Sequence, residues 1–374
     1  MAVTNDMSAD RRVARHVAAL HEFGYDVILI HRKLRDRKEK ENNFDCGGEK
    51  ERISLSTAHD RGWRFYAEYN VALKRKLVRL KPDAIWANDT DTLLGCWWAS
   101  RRLHCRLVLD AHELFPEVPE IQHKPLVKAV WRSVERMLMP QCDAIISVCN
   151  SIAEYYRNKY NVKVDVVRNL PIRPDASVDR TEKYDAIHPH LAGMKVLLYQ
   201  GCVNVGRGVD WAIDALEWLP QCQLVVAGRG DLLEQMKRYA ASKPWADRID
   251  FLGHVPPDEL PALTCRADVG LVMLEDMGLS YHYALPNRIG DFVAAGVPMV
   301  VSDLPEMAAV VHRFGVGVVI ENAMRKEERG KRLAEAVEKV LSRSWSDADF
   351  AEARNDMDWN KEKQILKRIC FTTF

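Results

Sequence analysis

Tyr199-Gln-Gly-Cys-Val-Asn-Val-Gly-Arg-Gly-Val209 is the stretch that decides the fold. It follows the apolar run Lys195–Tyr199, which reads as a strand, and leads into the helix-period stretch Val209–Leu219. Glycines between a strand and a helix let the backbone approach a phosphate, and a helix N-terminus presents unpaired N–H groups to such an anion. Arg207 adds a fixed cation that engages a diphosphate through two parallel donors. An ordinary strand-to-helix turn with a surface arginine explains the same residues equally well, because short glycine patterns are weak signals.

The same alternation runs outward in both directions. Downstream, strands read at Gln223–Ala227, Asp250–Leu252, Val269–Met273, Met299–Val301 and Gly317–Ile320, with helices at Leu232–Ala241, Asp258–Arg266, Arg288–Ala295 and Lys331–Leu341. Upstream, strands read at Asp26–His31, Ile53–Leu55, Ala84–Ala87, Arg106–Leu109, Ala144–Val148 and Lys163–Val167, with Ala2–Thr4 as a clipped first strand. Helical patterns fall at Arg11–Phe23, Arg61–Leu80 and Thr92–Leu103. Short β-branched runs alternating with helices predict βαβ units and parallel sheets. Pro171, Pro174 and Pro189 interrupt the pattern. The expected class is therefore α/β, with two Rossmann-like doubly wound domains facing a cleft and ligands at the carboxyl ends of the strands. The expected boundaries are residues 1–172, a linker at 173–194, a second domain at 195–345, and a C-terminal helix at 346–374 crossing back to the first domain.

The 374 residues, 47% apolar and 29% charged, are those of an ordinary globular chain of about two domains. No run of about 18 apolar residues predicts a membrane span. The start, Met1–Arg12, has no apolar signal core, which argues against secretion. Nine scattered cysteines without a Cys-x-x-Cys pair suit reduced thiols in a cytoplasm rather than a disulfide framework or a zinc site. Residues 1–172 carry 29 Lys and Arg against 23 Asp and Glu, whereas the remainder is acidic by 30 to 25. A basic first half suits an anionic surface or acceptor. No aromatic-interleaved basic groove points to nucleic acid.

A second segment, Tyr283-Ala-Leu-Pro-Asn-Arg-Ile-Gly-Asp-Phe-Val-Ala-Ala-Gly-Val-Pro298, begins a helix at Pro286 and Asn287, with Asn287 as the expected N-cap. Asp291 lies one turn into it, as a partner of the helix dipole or as an acceptor for a ribose diol. With these two segments, the ordered stretches Thr4-Asn-Asp-Met-Ser, Asp110-Ala-His-Glu-Leu-Phe, Arg168-Asn-Leu-Pro, Gly228-Arg-Gly, Phe251-Leu-Gly-His-Val and Ala295-Gly-Val-Pro resemble those of family-4 (group 1) retaining glycosyltransferases of the GT-B fold.

The resemblance implies roles. Arg207 matches the basic residue that neutralises the donor diphosphate, beside Gly201. Asp291 matches the second acid of a Glu-x7-Glu signature that holds the ribose hydroxyls, with Asn287 and Tyr283 in the same segment. Gly228 and Gly230 match the donor-domain Gly-x-Gly turn, and Phe251–Val255, with His254, match the turn that reads the nucleobase. His112 matches the histidine near the donor sugar, and Glu113 the position beside the acceptor. Asn5 and Arg12 flank the first βα turn, on the acceptor side with Asn88 and Asp89. Tyr283 stands where the first signature acid belongs, Cys202 where a second basic residue is common, and Asp291 is one methylene shorter than glutamate. Retention in this family is described as front-face departure, in which the leaving diphosphate helps deprotonate the acceptor and no enzyme nucleophile is needed. The nucleotide-sugar, UDP- or GDP-linked, is then a substrate, and no cofactor or metal is expected.

Asp89-Thr-Asp91 also imitates a metal-binding Asp-x-Asp of another fold. The simpler reading has Thr90 or Asp91 capping the next helix. Between Pro125 and Met139, Val127, Val130, Trp131, Val134, Met137 and Leu138 share an apolar face beside a basic stripe of Lys124, Lys128, Arg132 and Arg136. That pattern suits a domain helix with its apolar face in the core, or one resting on the anionic inner face of the cytoplasmic membrane. The expected activity is transfer to a glycan or lipid-linked acceptor in envelope polysaccharide or lipopolysaccharide synthesis. The alternative is a catalytically silent nucleotide-sugar or glycan-binding partner of an assembly complex.

Overall fold

A computed structural model describes residues 1–5, 7, 10–33, 46–172, 193–322 and 325–373. The chain divides into two compact units, Met1–Arg168 with Glu362–Phe374, and Asn169–Lys361. Nearly all of the expected linker at 173–194 lies outside the described residues, as do Asp6 and Ser8 of the Thr4–Ser8 stretch.

In the first unit, β1 (Val27–Arg32) and β2 (Glu49–Leu55) pair in parallel, as do β3 (Ala84–Asn88), β4 (Arg106–Ala111), β5 (Ala144–Ser147) and β6 (Asp165–Val166), in that order. The clipped first strand shrinks to one bridging residue. Ala2 pairs with Ile30 on one side and Ala87 on the other, so the N-terminal segment joins β1 to β3. Around these strands lie α1 (Arg11–Glu22), α2 (Gly62–Leu80), α3 (Thr90–Leu103), α4 (Pro125–Leu138) and α5 (Asn150–Tyr160). Asp10 caps α1, accepting from the Val13 amide at 3.0 Å. Glu362 is buried in this unit and accepts from the amide and guanidinium of Arg168 at 2.7 and 2.9 Å.

The second unit is built on one six-stranded parallel sheet in the order β12-β11-β10-β7-β8-β9. The strands are β7 (Lys195–Gln200), β8 (Cys222–Ala227), β9 (Ile249–Gly253), β10 (Val269–Val272), β11 (Met299–Ser302) and β12 (Gly317–Ile320). Both faces are covered, which is why the strands read as continuous apolar runs. Leu197, Tyr199, Leu224 and Val226 point into one core with Trp211 and Leu333; Val196, Leu198 and Val225 point into the other with Ile289, Phe292 and Phe350. The strand order reverses between β7 and β10, and such a switch point opens a crevice at the carboxyl ends of the two strands.

Its helices are α6 (Val209–Ala215), α7 (Leu233–Ala241), α8 (Leu260–Arg266), α9 (Leu279–His282), α10 (Asn287–Ala295), α11 (Pro305–Phe314), α12 (Arg329–Leu341) and α13 (Asp347–Asp356), and the last helix, α14 (Trp359–Thr373), belongs from Glu362 onward to the first unit. Several depart from expectation. α6 stops at Ala215, short of Leu219. α8 starts at Leu260 because Pro261 is tolerated only in a first turn. Residues 346–374 form two helices rather than one, the first opened by a capping box of Ser346 and Asp349. The N-cap of α10 is Pro286, not Asn287: proline holds the extended backbone that the cap position needs, and Asn287 is already helical. Neither Thr90 nor Asp91 caps α3. The cap position belongs to Asp89, and the two side chains are drawn to Glu135 and Thr4 instead. None of the nine cysteines is in a disulfide.

Candidate active site

At the carboxyl end of β7 the chain runs through Gln200 into Gly201, whose φ of +134° favours glycine. The neighbouring turn after β8 comes so close that a Cβ on Gly228 would lie 1.7 Å from the Gly201 carbonyl oxygen, and one on Gly230 would lie 2.3 Å from that of Val203. The two glycine turns are thus one packed unit, and their glycines serve backbone approach first.

Gln200 organises what surrounds them. Its Nε2 donates to Asp291 Oδ2 at 3.0 Å, its Oε1 accepts from the Thr264 hydroxyl at 3.0 Å, and its carbonyl accepts from Arg288 Nη1 at 3.0 Å. Arg288 is buried, lies over the Tyr199 ring, and crosses the switch point to the Met273 carbonyl. Gln200 and Arg288 carry no individual role in the sequence reading, since their partners lie 64 to 91 residues away. Asp291 is therefore held at the mouth of the crevice, with exposed Asn287 one turn before it. Arg207 stands on the outer part of the loop, its Nε donating to the buried Tyr281 hydroxyl at 3.0 Å and its guanidinium 4.6 Å from that ring's centre. Tyr281 is a support that no motif revealed. Tyr283, two residues on, is half-buried against His282, and His254 is exposed after β9. A recess of about 490 Å³ opens on the α7 side of the loop, lined by Arg207, Arg238, Tyr239 and Lys326; Asp291, Tyr283 and His254 do not line it.

In the first unit His112 follows β4 and sits between two carboxylates. Its Nδ1 is 3.3 Å from Asp89 Oδ2 and its Nε2 is 3.3 Å from Asp110 Oδ2, while its amide donates to Asp89 Oδ1 at 2.7 Å. Burial works against a charge on the ring, but the two carboxylates outweigh it and push His112 up to about 9. Asp110 is fully buried yet held well below the usual carboxylate range, because Arg12 (Nε at 3.0 and 3.1 Å), His112 and His16 together exceed the cost of burial. His16, fully buried, goes the other way, down to about 4. Of two histidines touching one carboxylate, His112 is thus the cation and His16 the neutral ring. With a carboxylate 3.3 Å from each ring nitrogen, His112 offers a fixed positive charge rather than a base.

Asp89 pays for its place with backbone strain, a φ of +61° in a non-glycine residue. Burial raises its pKa, as it does that of Asp91, which reaches about 7. Asp91 accepts from the Thr4 hydroxyl. The Asp-x-Asp pair is therefore split, one carboxylate on His112 and the other on Thr4. Among the described residues no group of three or more metal-ligating side chains occurs. Arg12 and Asn88 are buried, with Arg12 also on the Val167 carbonyl and Asn88 on that of Ala2, so their donors serve the fold. Asn5 holds Asp10, and Glu113 is half-buried beside His112.

The family model for glycosyltransferase family 4 matches residues 9–170, and that for glycosyl transferases group 1 matches residues 194–343. The chain belongs to the family-4, group 1 glycosyltransferases. No curated protein sequence matches this transferase. Among solved structures it is similar to the sucrose-phosphate synthase tll1590 from Thermosynechococcus elongatus, with a TM-score of 0.77 at 15% identity over 99% of this chain and 97% of that one. It is also similar to Anabaena Alr3699/HepE in complex with UDP and glucose, at 0.75 and 13% over 99% and 98%, and to WaaG, a glycosyltransferase involved in lipopolysaccharide biosynthesis, at 0.67 and 15% over 96% of each. At such identities the likeness establishes the transferase's GT-B fold.

Proposed function

We propose that this glycosyltransferase is a retaining enzyme that takes a sugar from a nucleotide-sugar, UDP-linked in the first instance, to a glycan or lipid-linked acceptor in envelope polysaccharide synthesis, on the cytoplasmic side. The observation that carries it is the pairing of a supported cation with a positioned acid in the second unit. Arg207 is held by Tyr281, and Asp291 is held by Gln200 at the strand-order switch. That pairing suits a diphosphate and a ribose diol. HepE, of the same fold, is described with UDP and with UDP-glucose, which makes uridine the first nucleotide to test.

In this reading Arg207 stabilises the charge that grows on the departing diphosphate, and stabilisation of developing charge is the main thing such a reaction asks of a protein. His112, held as a cation by two carboxylates of the first unit, does not serve as the base in this reading, and the acceptor's proton passes to the leaving diphosphate. Asp89 and Asp91 are occupied by His112 and Thr4, which supports a transfer that runs without a metal.

Thermal unfolding of the wild type against UDP, GDP, ADP and their sugars tests the reading, with Arg207→Ala and Asp291→Ala as controls. A nucleotide at about 100 times its Kd stabilises by roughly 2.7 kcal/mol. One nucleotide should raise the midpoint, and both variants should lose the effect. Cys202 and Tyr283, in place of a base and an acid, favour a second reading as a silent glycan-binding partner. No nucleotide shift at saturation, or binding without turnover on any acceptor, would move that reading ahead.

A further inference from the structure

The structure splits the apolar face of α4 in two. Val134 and Leu138 turn into the core, and Trp131 packs edge-on against Tyr66 of α2 and Phe115, with ring centres 5.0 and 4.9 Å apart. Leu126, Val130 and Met137 point the other way, 82%, 60% and 59% exposed, with Val127 beside them. Successive members of this second stripe lie four and seven residues apart, so they form one line along the outside of the helix. Trp63, 75% exposed, lies one helical turn before Tyr66, which the aromatic contact ties to the same helix. An apolar line of this length on an outer helix is uncommon on a chain that meets only water.

Charge is arranged around it. The one acid of α4, Glu135, is fully buried and accepts from Thr90, Tyr156 and Tyr160. Lys128 and Arg132 share Glu117, two cations on a single carboxylate. Lys124 and Arg136 are exposed at the two ends of the helix and form no ion pair among the described residues; Arg101 and Arg102 of α3, which packs on α4, are exposed as well. Glu120, in the turn before the helix, is the exposed acid nearby in sequence. The surface is thus an apolar line flanked by cations, which complements an anionic bilayer: hydrocarbon beneath, acidic headgroups at the rim.

We infer that the outer face of α4, with Trp63 of α2, docks this protein on an anionic lipid bilayer, inserting Leu126, Val130 and Met137 at the level of the headgroups. The inference is independent of the donor site, and its test leaves that site untouched. The full chain is sedimented with vesicles of phosphatidylcholine alone and of phosphatidylcholine mixed with phosphatidylglycerol, at low and high salt. Wild type should bind the mixed vesicles, several-fold more weakly at high salt, and leave neutral vesicles largely unbound.

A Leu126→Ser/Val130→Ser double variant should lose about tenfold in partitioning, as should Lys124→Glu/Arg136→Glu. These positions are exposed, so unfolding midpoints and nucleotide-induced stabilisation should match the wild type. Tryptophan emission should shift to the blue on mixed vesicles, and the shift should shrink in Trp63→Ser. Failure of the wild type to bind mixed vesicles overturns the inference, and so does binding that both double variants retain. Self-association in the absence of lipid, abolished by Leu126→Ser/Val130→Ser, would also overturn it, assigning the face to a second copy of the chain.

Discussion

Replacing Asp89 by Asn should bring His112 back into the physiological range of titration. The variant is nearly isosteric and keeps an oxygen for the His112 amide, and asparagine tolerates a positive φ better than other non-glycine residues. What it removes is a negative charge 3.3 Å from His112 Nδ1. At that distance Coulomb's law gives about 1 to 5 kcal/mol across effective dielectric constants from about 80 down to 20, and one neighbouring charge commonly moves a pKa by about 1 to 3. His112 should therefore fall from about 9 to between about 6 and 8, with Asp110 remaining as its partner. The ring resonances of His112, assigned by their loss in His112→Gln, report this directly in an NMR titration.

Stability must follow with a defined sign. A histidine raised from an ordinary 6.5 to about 9 in the folded state contributes stability that is fully present below pH 6.5 and lost as pH rises through 9, in all about 3 kcal/mol. In Asp89→Asn that loss should occur at lower pH and be smaller. A wild-type His112 that titrates at or below 6.5, or a titration that Asp89→Asn leaves in place, refutes the two-carboxylate clamp and with it the reading of His112 as a fixed cation.

Two further outcomes test the rest of the framework. Gly228→Ala would place a Cβ 1.7 Å from the Gly201 carbonyl, so urea unfolding should show a loss of at least about 3 kcal/mol; a neutral variant would contradict the packed pair of turns. Glu135, pushed up by burial to about 7, contributes stability that is fully present below pH 4.5 and lost as pH rises through 7. Glu135→Gln should therefore gain on the wild type between pH 5 and 8, by up to about 3 kcal/mol in unfolding midpoints converted to free energy, and a constant difference would refute the assignment.

The strands of the second unit were legible because a parallel strand buried on both faces must be apolar at every position, as Val196–Tyr199 and Leu224–Ala227 are. Ends of elements were less so. Nothing local stops α6 at Ala215, since Leu216 and Leu219 are as buried as the helix itself and the periodicity runs on past its end. α11 went unread although Pro305 stands at its first position. α4 shows the limit of periodicity in another way. Its pattern gave an amphipathic helix correctly but offered one apolar face, where the packing of Trp131 on Phe115 and Tyr66 rotates Val130 and Met137 outward. Its basic stripe likewise reads as four equivalent cations, and only Glu117, fifteen residues before Arg132, ties two of them into ion pairs.

The candidate site divides along the same line. Residues whose geometry depends on a local turn or helix start, such as Gly201, Gly228 and Asp291, stand out as motif positions. Residues whose role depends on another strand end could not. Asp89 reaches His112 across 23 residues, Arg12 reaches Asp110 across 98, and Gln200 reaches Asp291 across 91. A parallel sheet makes this unavoidable: every strand end at the carboxyl edge is separated from its neighbour by a whole crossover, so the groups that tune each other's charge are remote in the chain. Asn88 is expected on the acceptor side because it ends β3, and Arg12 because it flanks the first βα turn. At 3% and 1% exposure, their donors hold Asp110 and the N-terminal segment in place. The edge thus carries two kinds of polar residue, those left partly open at the strand ends and those that fix their neighbours in place. Strain at Asp89 marks it as belonging to the second kind, since a φ of +61° persists only where neighbouring contacts, here both the amide and the ring of His112, hold it.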